Sequence, residues 1–459
     1  MSARIRLGVI AALALLAFPA TTHAQGIYLP GGGAPHATMG GASTATPIDA
    51  IGSLYWNPAA IGRLGRSEVG IGGGFLFPII DLDARGPGGR AGRTRSDSGT
   101  GLASDLGIVY QPDDSRMTFG MGLFTLGGGG VNYPGDTGNP LLSGIGALGN
   151  VQGPIYANMT LMQLAPTAAM KVTDRLVVGF GPTVSVALAG FDPAYFSPPD
   201  DSNGDGVGTW ATATHTRPYW GGGFRAGLVY SVTDRIDVGF GYTSPQWFET
   251  WQSHARTELG QPRTLNLNVT LPAIYSWGVG FRPTDRLLLA VDMRYIDYKN
   301  ADLFGTPLVE GGLGWDSIFA VAVGSRYQLT DRVALSAGYV YNDNPIPSIG
   351  TLFNVQAPAI TQHTVSVGST LNLTDAMALS LGYSYGFQNS LTGPVREARG
   401  VGVQFDTQVH TLLFGIQIKF GACGKKLACP TPCDYAAATA TAPVEPARPA
   451  TLPGPPAGG

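Results

Sequence analysis

The chain has 459 residues, of which only 13% are charged, against about 25% in an average soluble domain. It contains 67 glycines and 34 prolines, and its formal net charge is -3. The low charge content is untypical of a cytosolic enzyme, and the lack of a basic surplus argues against nucleic-acid binding. After the first two dozen residues, no apolar run approaches the roughly 20 residues that a membrane-spanning helix needs.

Residues 1–24 have the features of a secretory signal peptide. Arg4 and Arg6 form a positive segment, Gly8–Phe18 is an apolar stretch, and residues 22–24 form a small-residue cleavage site. We therefore expect that the protein is exported and that Gln25 is the first mature residue.

A short turn motif recurs along the mature chain. Thr-Asp-Arg, or a divergent form of it, stands at residues 112–114, 173–175, 233–235, 284–286, 330–332 and 374–376. Asp favours turns because its carboxylate bonds to nearby backbone amides. On both sides of each motif, large apolar residues alternate with small or polar ones, as in Leu379, Leu381 and Tyr383 against Ser380 and Gly382. This period of two is typical of β-strands.

The pattern predicts an all-β fold, a 14-stranded antiparallel transmembrane β-barrel over residues 68–420. Six hairpins, one strand near residues 68–77 and one near 408–420 give an even number of strands, as closed bacterial barrels require. The large apolar face suits lipid and the small or polar face suits a lumen. A secreted soluble β-sandwich is the alternative, but it would expose these apolar faces to water. The turn motifs are short, whereas the opposite connections are long: residues 80–103, 127–160, 188–218, 248–274, 299–316, 342–361 and 388–407.

Residues 25–67 precede the first strand and are the candidate plug, because fourteen strands enclose a lumen too wide for side chains alone to fill. The segment contains Asn57-Pro58-Ala59 after a glycine-containing stretch that ends at Asp49. The tripeptide, its position and the number of strands resemble the FadL/TodX family, which are outer-membrane transporters of long-chain fatty acids and aromatic hydrocarbons. The resemblance extends over about residues 25–420. It implies an N-terminal hatch in the lumen, a hydrophobic ligand that docks among the outer loops, and lateral release after the hatch rearranges.

The resemblance also implies a channel in the outer membrane of a Gram-negative bacterium rather than an enzyme. Long-chain fatty acid is the first expected ligand, and aromatic hydrocarbon is the alternative. A non-specific porin and an outer-membrane lipid hydrolase are the rival functions. We expect a monomer whose partners are its hydrophobic ligand, outer-membrane lipid and lipopolysaccharide.

Arg225 and Arg294 are candidate ligand-binding residues, because both fall mid-strand on the lumen face and an Arg fork forms charge-assisted pairs with a carboxylate. The alternative is that such charges satisfy the hatch and neighbours such as Asp292. Apolar residues in the loop after the third strand are candidates for a hydrophobic landing groove, unless they pack onto their own loops. They are Leu141, Leu142, Ile145 and Leu148.

Residues 201–208 resemble the first half of a calcium loop. Asp201, Asn203 and Asp205 stand at alternate positions with Gly206 sixth, but the twelfth position is Thr212 instead of Glu. A Ca²⁺ site and a plain surface turn are both compatible with this pattern, and no other cofactor is expected. Residues 421–459 contain all three cysteines and an Ala/Pro/Thr-rich end, which predicts a disordered periplasmic tail of unassigned function.

Overall fold

A computed structural model describes residues 26–143, 154–214, 217–348, 351–394 and 400–421. The predicted signal peptide, the cysteine-containing tail, Ile145 and Leu148 lie outside these residues. Among the described residues, no helix is long and apolar enough to cross a membrane.

The described chain forms a closed barrel of fourteen antiparallel strands, which confirms the predicted fold class. Consecutive strands pair with one another, and the first strand closes the barrel by pairing with the last. The strands are β1 Ser67–Arg85, β2 Gly101–Tyr110, β3 Met117–Tyr133, β4 Ile155–Lys171, β5 Leu176–Asp192, β6 Tyr219–Thr233, β7 Ile236–Thr243, β8 Ile274–Thr284, β9 Leu287–Ile296, β10 Ile318–Gln328, β11 Val333–Asn342, β12 His363–Asn372, β13 Met377–Pro394 and β14 Gly402–Phe420.

The six turn motifs connect β2 to β3, β4 to β5, β6 to β7, β8 to β9, β10 to β11 and β12 to β13, as predicted. The chemistry of the turn differs from the prediction, because the Thr hydroxyl accepts the backbone hydrogen bonds. Thr173 Oγ1 accepts from the amides of Arg175 and Leu176, at 3.2 and 3.0 Å. Equivalent bonds occur at Thr233, Thr330 and Thr374. Thr therefore closes these turns in the way that an ST-turn does.

At the opposite end the first and last strands are longer than predicted. Pairing of β1 with β14 continues to Arg85 and Gly402, well past the predicted limits at residues 77 and 408. The apolar alternation stops earlier than the pairing because outward-facing residues above the lipid no longer need to be apolar. The outer loops also contain short strands, which are Ala91–Arg95, Gln246–Phe248, Trp251–Arg256, Pro262–Leu267 and Thr270–Leu271.

The two faces of the strands point as the alternation predicts. Leu381 and Leu412 are 55% and 50% exposed on the outer surface, whereas Ser380 and Gln417 are buried on the inner face. Ser380 Oγ donates to Gln417 Oε1 at 3.2 Å. The outer surface of the barrel is therefore apolar, and its inner surface is small and polar.

The segment before β1 lies inside the barrel and is here called the hatch, residues 26–66. It contains the short helices α1 Ala34–Ala37 and α2 Ala50–Tyr55 and a 3-10 turn, Ala60–Arg63. Asp49 caps α2, because its Oδ1 accepts from the amide of Gly52 at 2.7 Å. A further one-turn helix, Thr351–Asn354, lies in an outer loop.

A charge on the outer face tests the predicted facing. Leu381→Arg places a guanidinium in lipid and should lower the free energy of unfolding by about 2–4 kcal/mol, measured by urea unfolding in lipid vesicles. Val309→Arg is the control, since Val309 is 69% exposed in an outer loop and the change there should stay within about 0.5 kcal/mol. Equal losses in the two variants would contradict the placement of Leu381 in the membrane.

Candidate functional site: the hatch in the barrel lumen

The hatch lies directly on the inner wall of the barrel. A Cβ atom on Gly227 of β6 would stand 2.0 Å from Asn57 Oδ1, and one on Gly179 of β5 would stand 2.4 Å from the amide nitrogen of Ala59. No side chain fits at either position while the hatch is in place. The inner face therefore carries glycine at these positions because the hatch approaches it closely.

The Asn57-Pro58-Ala59 turn is attached through the Asn57 side chain. Asn57 Nδ2 donates to the carbonyl oxygens of Thr44 and Leu228, at 2.7 and 3.0 Å, and Oδ1 accepts from the amide of Ala59 at 3.0 Å. Asn57 is fully buried. One side chain thus joins two parts of the hatch to strand β6.

An ion pair on β9, three strands along the wall from β6, also holds the hatch. Arg294 Nη2 lies 3.0 Å from Asp292 Oδ2 and donates to the carbonyl of Gly41 at 2.5 Å. Asp292 Oδ2 also accepts from the amides of Ser43 and Thr44, at 2.9 and 3.0 Å. The Thr44 hydroxyl donates to the same oxygen at 2.7 Å. The carboxylate therefore neutralises Arg294 and satisfies backbone donors of the hatch at once.

Both predicted cationic residues are thus engaged with the hatch. Arg225 is 2% exposed and donates to the carbonyl of Tyr55. Arg294 is fully buried, and its guanidinium carbon lies 4.4 Å from the ring centre of Trp56, a cation–π distance. Their position in the lumen agrees with the sequence analysis, and a role in binding a ligand carboxylate stays a prediction.

Two acidic residues at hatch contacts escaped the sequence analysis. Glu68 Oε1 accepts from the amide of Ala50 at 2.8 Å, and Asp105 Oδ2 accepts from the amide of Gly33 at 3.0 Å. Both lie on the inner phase of their strands, so the alternation of the sequence could have identified them as lumen-facing. Glu68 also pairs with Arg66 of the hatch at 2.7 Å, but the backbone amides that both carboxylates accept from cannot be identified by residue type.

The landing groove predicted in the loop after β3 is not observed at its described residues. Leu141 and Leu142 are buried within the main hydrophobic cluster. Asn139 fixes this part of the loop, because its Nδ2 donates to the carbonyl of Leu82 and its Oδ1 accepts from the amide of Leu141. These two side chains therefore pack within the protein, which is the alternative given by the sequence analysis.

The loop 201–208 forms an exposed surface turn, and calcium binding by its side chains stays a prediction. Asp201 Oδ1, Asn203 Oδ1 and Asp205 Oδ1 each accept from an amide of the loop itself. Among the described residues, no group of three or more His, Cys, Asp or Glu side chains is placed to hold a metal ion. The hydrogen bond from the amide of Glu258 lowers the pKa of Asp200 beside this loop.

An aromatic cluster lies where the loops after β5 and β7 meet. The rings of Tyr219 and Trp251 stack at 4.9 Å between centres, and the rings of Phe191 and Phe196 meet edge to face at 5.5 Å. With Leu267, these side chains enclose about 10 Å³ of free space. A cleft of about 410 Å³ nearby is polar, and its walls include His254, Arg256 and Glu258.

The barrel wall is interrupted between β2 and β3. Their pairing ends at Asp105 and Phe124, and the register of β3 against β4 shifts between Thr125 and Gly127. The first residues of the hatch take the place of the missing neighbour. The amide of Leu29 donates to the carbonyl of Leu126 at 2.9 Å, and the amide of Gly128 donates to that of Ile27 at 3.1 Å.

This combination of a fourteen-stranded barrel with a wall-bound hatch agrees with comparisons to known proteins. The profile of the family described as outer membrane protein transport protein (OMPP1/FadL/TodX) matches residues 15–421. The chain belongs to this family. No curated protein sequence matches it significantly. As a member of the FadL/TodX family it is an outer-membrane channel for hydrophobic substrates.

Solved structures of similar fold share little sequence with this FadL/TodX member. The toluene transporter TodX of P. putida is 17% identical with a TM-score of 0.64, over 85% of this chain and 99% of that one. The toluene transporter TbuX of Ralstonia pickettii is 17% identical with a TM-score of 0.62, over 86% and 99%. A FadL homologue of Pseudomonas aeruginosa is 15% identical with a TM-score of 0.64, over 86% and 100%. At these identities the likeness shows the fold alone.

Removal of the Asn57 amide should loosen the hatch of this family member. Asn57→Ala leaves the buried carbonyl of Thr44 and the amide of Ala59 without their partner, which should lower the free energy of unfolding by about 1–3 kcal/mol. Hydrogen exchange at hatch amides should accelerate in parallel. Asn203→Ala in the exposed loop is the matched control and should change neither quantity. Hatch exchange equal to that of the unmodified protein would contradict the assigned role of Asn57.

Proposed function

We propose that the ligand of this channel is an uncharged hydrophobic molecule, an aromatic hydrocarbon, rather than a long-chain fatty acid. The observation that carries the proposal is that the hatch already engages Arg225 and Arg294, the two arginines expected to bind a carboxylate. A fatty-acid carboxylate loses hydration on entering an apolar lumen, which is unfavourable without a cation to pair with. An uncharged ligand needs no such partner. TodX and TbuX, the toluene transporters of similar fold, point the same way.

The aromatic cluster of the outer loops is the proposed first contact for the ligand. Its walls are aromatic and aliphatic side chains, so an uncharged ring gains contact area there and leaves no charge unpaired. Only about 10 Å³ is free between the side chains, which means that the rings must part to admit a ligand. The nearby 410 Å³ cleft offers room, but its charged walls suit a polar molecule.

The interrupted wall between β2 and β3 is the proposed exit. In lipid, every backbone donor and acceptor must be satisfied within the protein. The hatch residues Ile27–Leu29 supply partners to β3 where β2 does not, so they close this opening. Movement of these residues would uncover a lateral path from the lumen to the membrane.

Ligand choice can be measured directly. We expect toluene to bind the purified channel more tightly than oleate in calorimetry. Trp251→Ala removes one wall of the aromatic cluster and should weaken toluene binding about ten-fold, or by about 1.4 kcal/mol. Trp247→Ala is the matched control, because Trp247 is 55% exposed on the outer surface. Tighter binding of oleate would instead support the fatty-acid ligand, and an open conducting lumen without binding of either would support a porin.

The exit can be tested within one run of glycines. A Cβ atom on Gly127 would stand 1.8 Å from the carbonyl oxygen of Ile27, whereas one on Gly129 would meet nothing within 4 Å. Gly127→Ala should therefore displace the start of the hatch, accelerate hydrogen exchange at Tyr28 and Leu29, and raise toluene flux into liposomes. Gly129→Ala should leave all three unchanged. A Gly127→Ala channel with unaltered flux, despite displacement of the hatch, would place the exit elsewhere.

A further inference from the structure

A histidine and an aspartate of the hatch face each other without a hydrogen bond between them. His36 lies in α1 and is fully buried, and Asp49, which caps α2, is 2% exposed. His36 Nδ1 lies 3.7 Å from Asp49 Oδ1, just beyond hydrogen-bond length. Among the described residues, neither His36 Nδ1 nor Asp49 Oδ2 has a hydrogen-bond partner. Buried polar atoms are nearly always paired, so this arrangement requires an explanation.

The other ring nitrogen of His36 fixes the neutral tautomer. His36 Nε2 lies 2.7 Å from the carbonyl oxygen of Thr46, which can only accept, so Nε2 carries a proton. In the neutral imidazole, Nδ1 is therefore an unprotonated acceptor that faces a carboxylate. In the imidazolium, Nδ1 becomes a donor and Asp49 becomes its acceptor. One added proton thus converts an unfavourable contact into a charge-assisted hydrogen bond.

This contact joins the two helices of the hatch. A Cβ atom on Gly52 of α2 would stand 1.8 Å from His36 Nδ1, so the imidazole lies directly against that helix. Asp49 Oδ1, the acceptor nearest to Nδ1, also accepts from the amide of Gly52 at 2.7 Å. A bond from His36 to this carboxylate therefore ties α1 to the cap of α2.

The surroundings of the pair contain further charged groups. Arg66 of the hatch pairs with Glu68 of β1 at 2.7 Å, and Glu68 also accepts from a hatch amide. Asp105 of β2 accepts from the amide of Gly33, which directly precedes α1. Two further cations interact electrostatically with members of this cluster, Arg326 of β10 and Lys419 of β14.

The carboxylates of the wall respond to pH with the opposite sign. As the pH rises, Glu68 and Asp105 gain charge and accept more strongly from hatch amides, so their titration would tighten the hatch. Strands β12 and β13, which pack on α1, carry no charged side chain on their inward faces in this described part of the chain. His363 and His410 share the phase of the outward residues of their strands. A hatch that loosens as the pH rises therefore points to His36.

We propose that His36 and Asp49 form a proton-dependent link that holds the two helices of the hatch together. The link forms when the imidazole is doubly protonated, and it breaks as the pH rises and Nδ1 loses its proton. Histidine is the side chain that ordinarily changes charge between pH 5 and pH 8, so the hatch is held more firmly at pH 5 than at pH 8. The link acts within the hatch and is independent of which ligand the channel carries.

The experiment measures hydrogen exchange of the full chain in detergent at pH 5 and pH 8. Rates are expressed as protection factors, which divide out the intrinsic effect of pH on exchange. The probes are the amide of Thr38, which donates to the carbonyl of Ala34 in α1, and that of Ser53, which donates to the carbonyl of Asp49. Loss of a charge-assisted bond should make both protection factors at least about ten-fold lower at pH 8 than at pH 5.

Three variants assign the effect. His36→Gln keeps a donor toward the Thr46 carbonyl but does not titrate, and Asp49→Asn keeps the helix cap but removes the charge. Each should reduce the change between the two pH values to about three-fold or less, because no charge-assisted bond is lost. Asp49→Asn carries the test if His36→Gln does not fold. His254→Gln, at an exposed position in an outer loop, is the matched control and should keep the full change.

Three outcomes would overturn the proposal. The first is a hatch whose protection factors are the same at pH 5 and pH 8. The second is protection that increases with pH, which would assign the response to Glu68 and Asp105. The third is a fall in the folded His36→Gln or Asp49→Asn protein as large as that in the unmodified protein.

Discussion

The need to fill a wide barrel governs this structure. Fourteen strands leave a lumen that inward side chains cannot close, and the hatch supplies the missing volume. The hatch is mostly irregular backbone, so its amides and carbonyls must find partners in a largely dry interior. Asp292, Arg294, Glu68 and Asp105 provide them from the wall, and Asn57 provides them from the hatch itself. These four charged side chains of the wall therefore all bond to backbone groups of the hatch.

The need to accommodate the hatch also determines the residues and the pairing of the barrel wall. Inward positions on β5 and β7 are glycine where the hatch backbone touches them, as at Gly179 and Gly239, since any Cβ would collide with it. Where β3 departs from β2, the first hatch residues take over the hydrogen bonds of a barrel strand. A segment that is held by a few backbone bonds at the edge of the hatch is easier to release than a full strand. The same segment therefore fills the lumen and closes the gap in the wall.

The composition of the outer surface is set by contact with lipid and, above the membrane, by contact with water. Within the membrane its side chains are apolar or aromatic, and beyond it β1 and β14 continue as paired strands with Asp and Arg on the outside. The change occurs within a few residues of His410. The outward residues of a barrel strand therefore depend on their depth in the membrane. Its inward residues depend on the contacts that the hatch makes with the wall.

The number of strands, their facing and the six short turns follow from the sequence, because a period of two and a repeated turn motif are local properties of the chain. The lumen position of Arg225 and Arg294 follows from the same periodicity. Their contacts with the hatch do not follow from it, because those partners are the backbone carbonyls of Tyr55 and Gly41, which no residue type indicates. The burial of Leu141 and Leu142 and the break between β2 and β3 likewise depend on segments distant in sequence. Local alternation determined the barrel, and only the tertiary structure, through contacts between the hatch and the wall, decided how the lumen is closed.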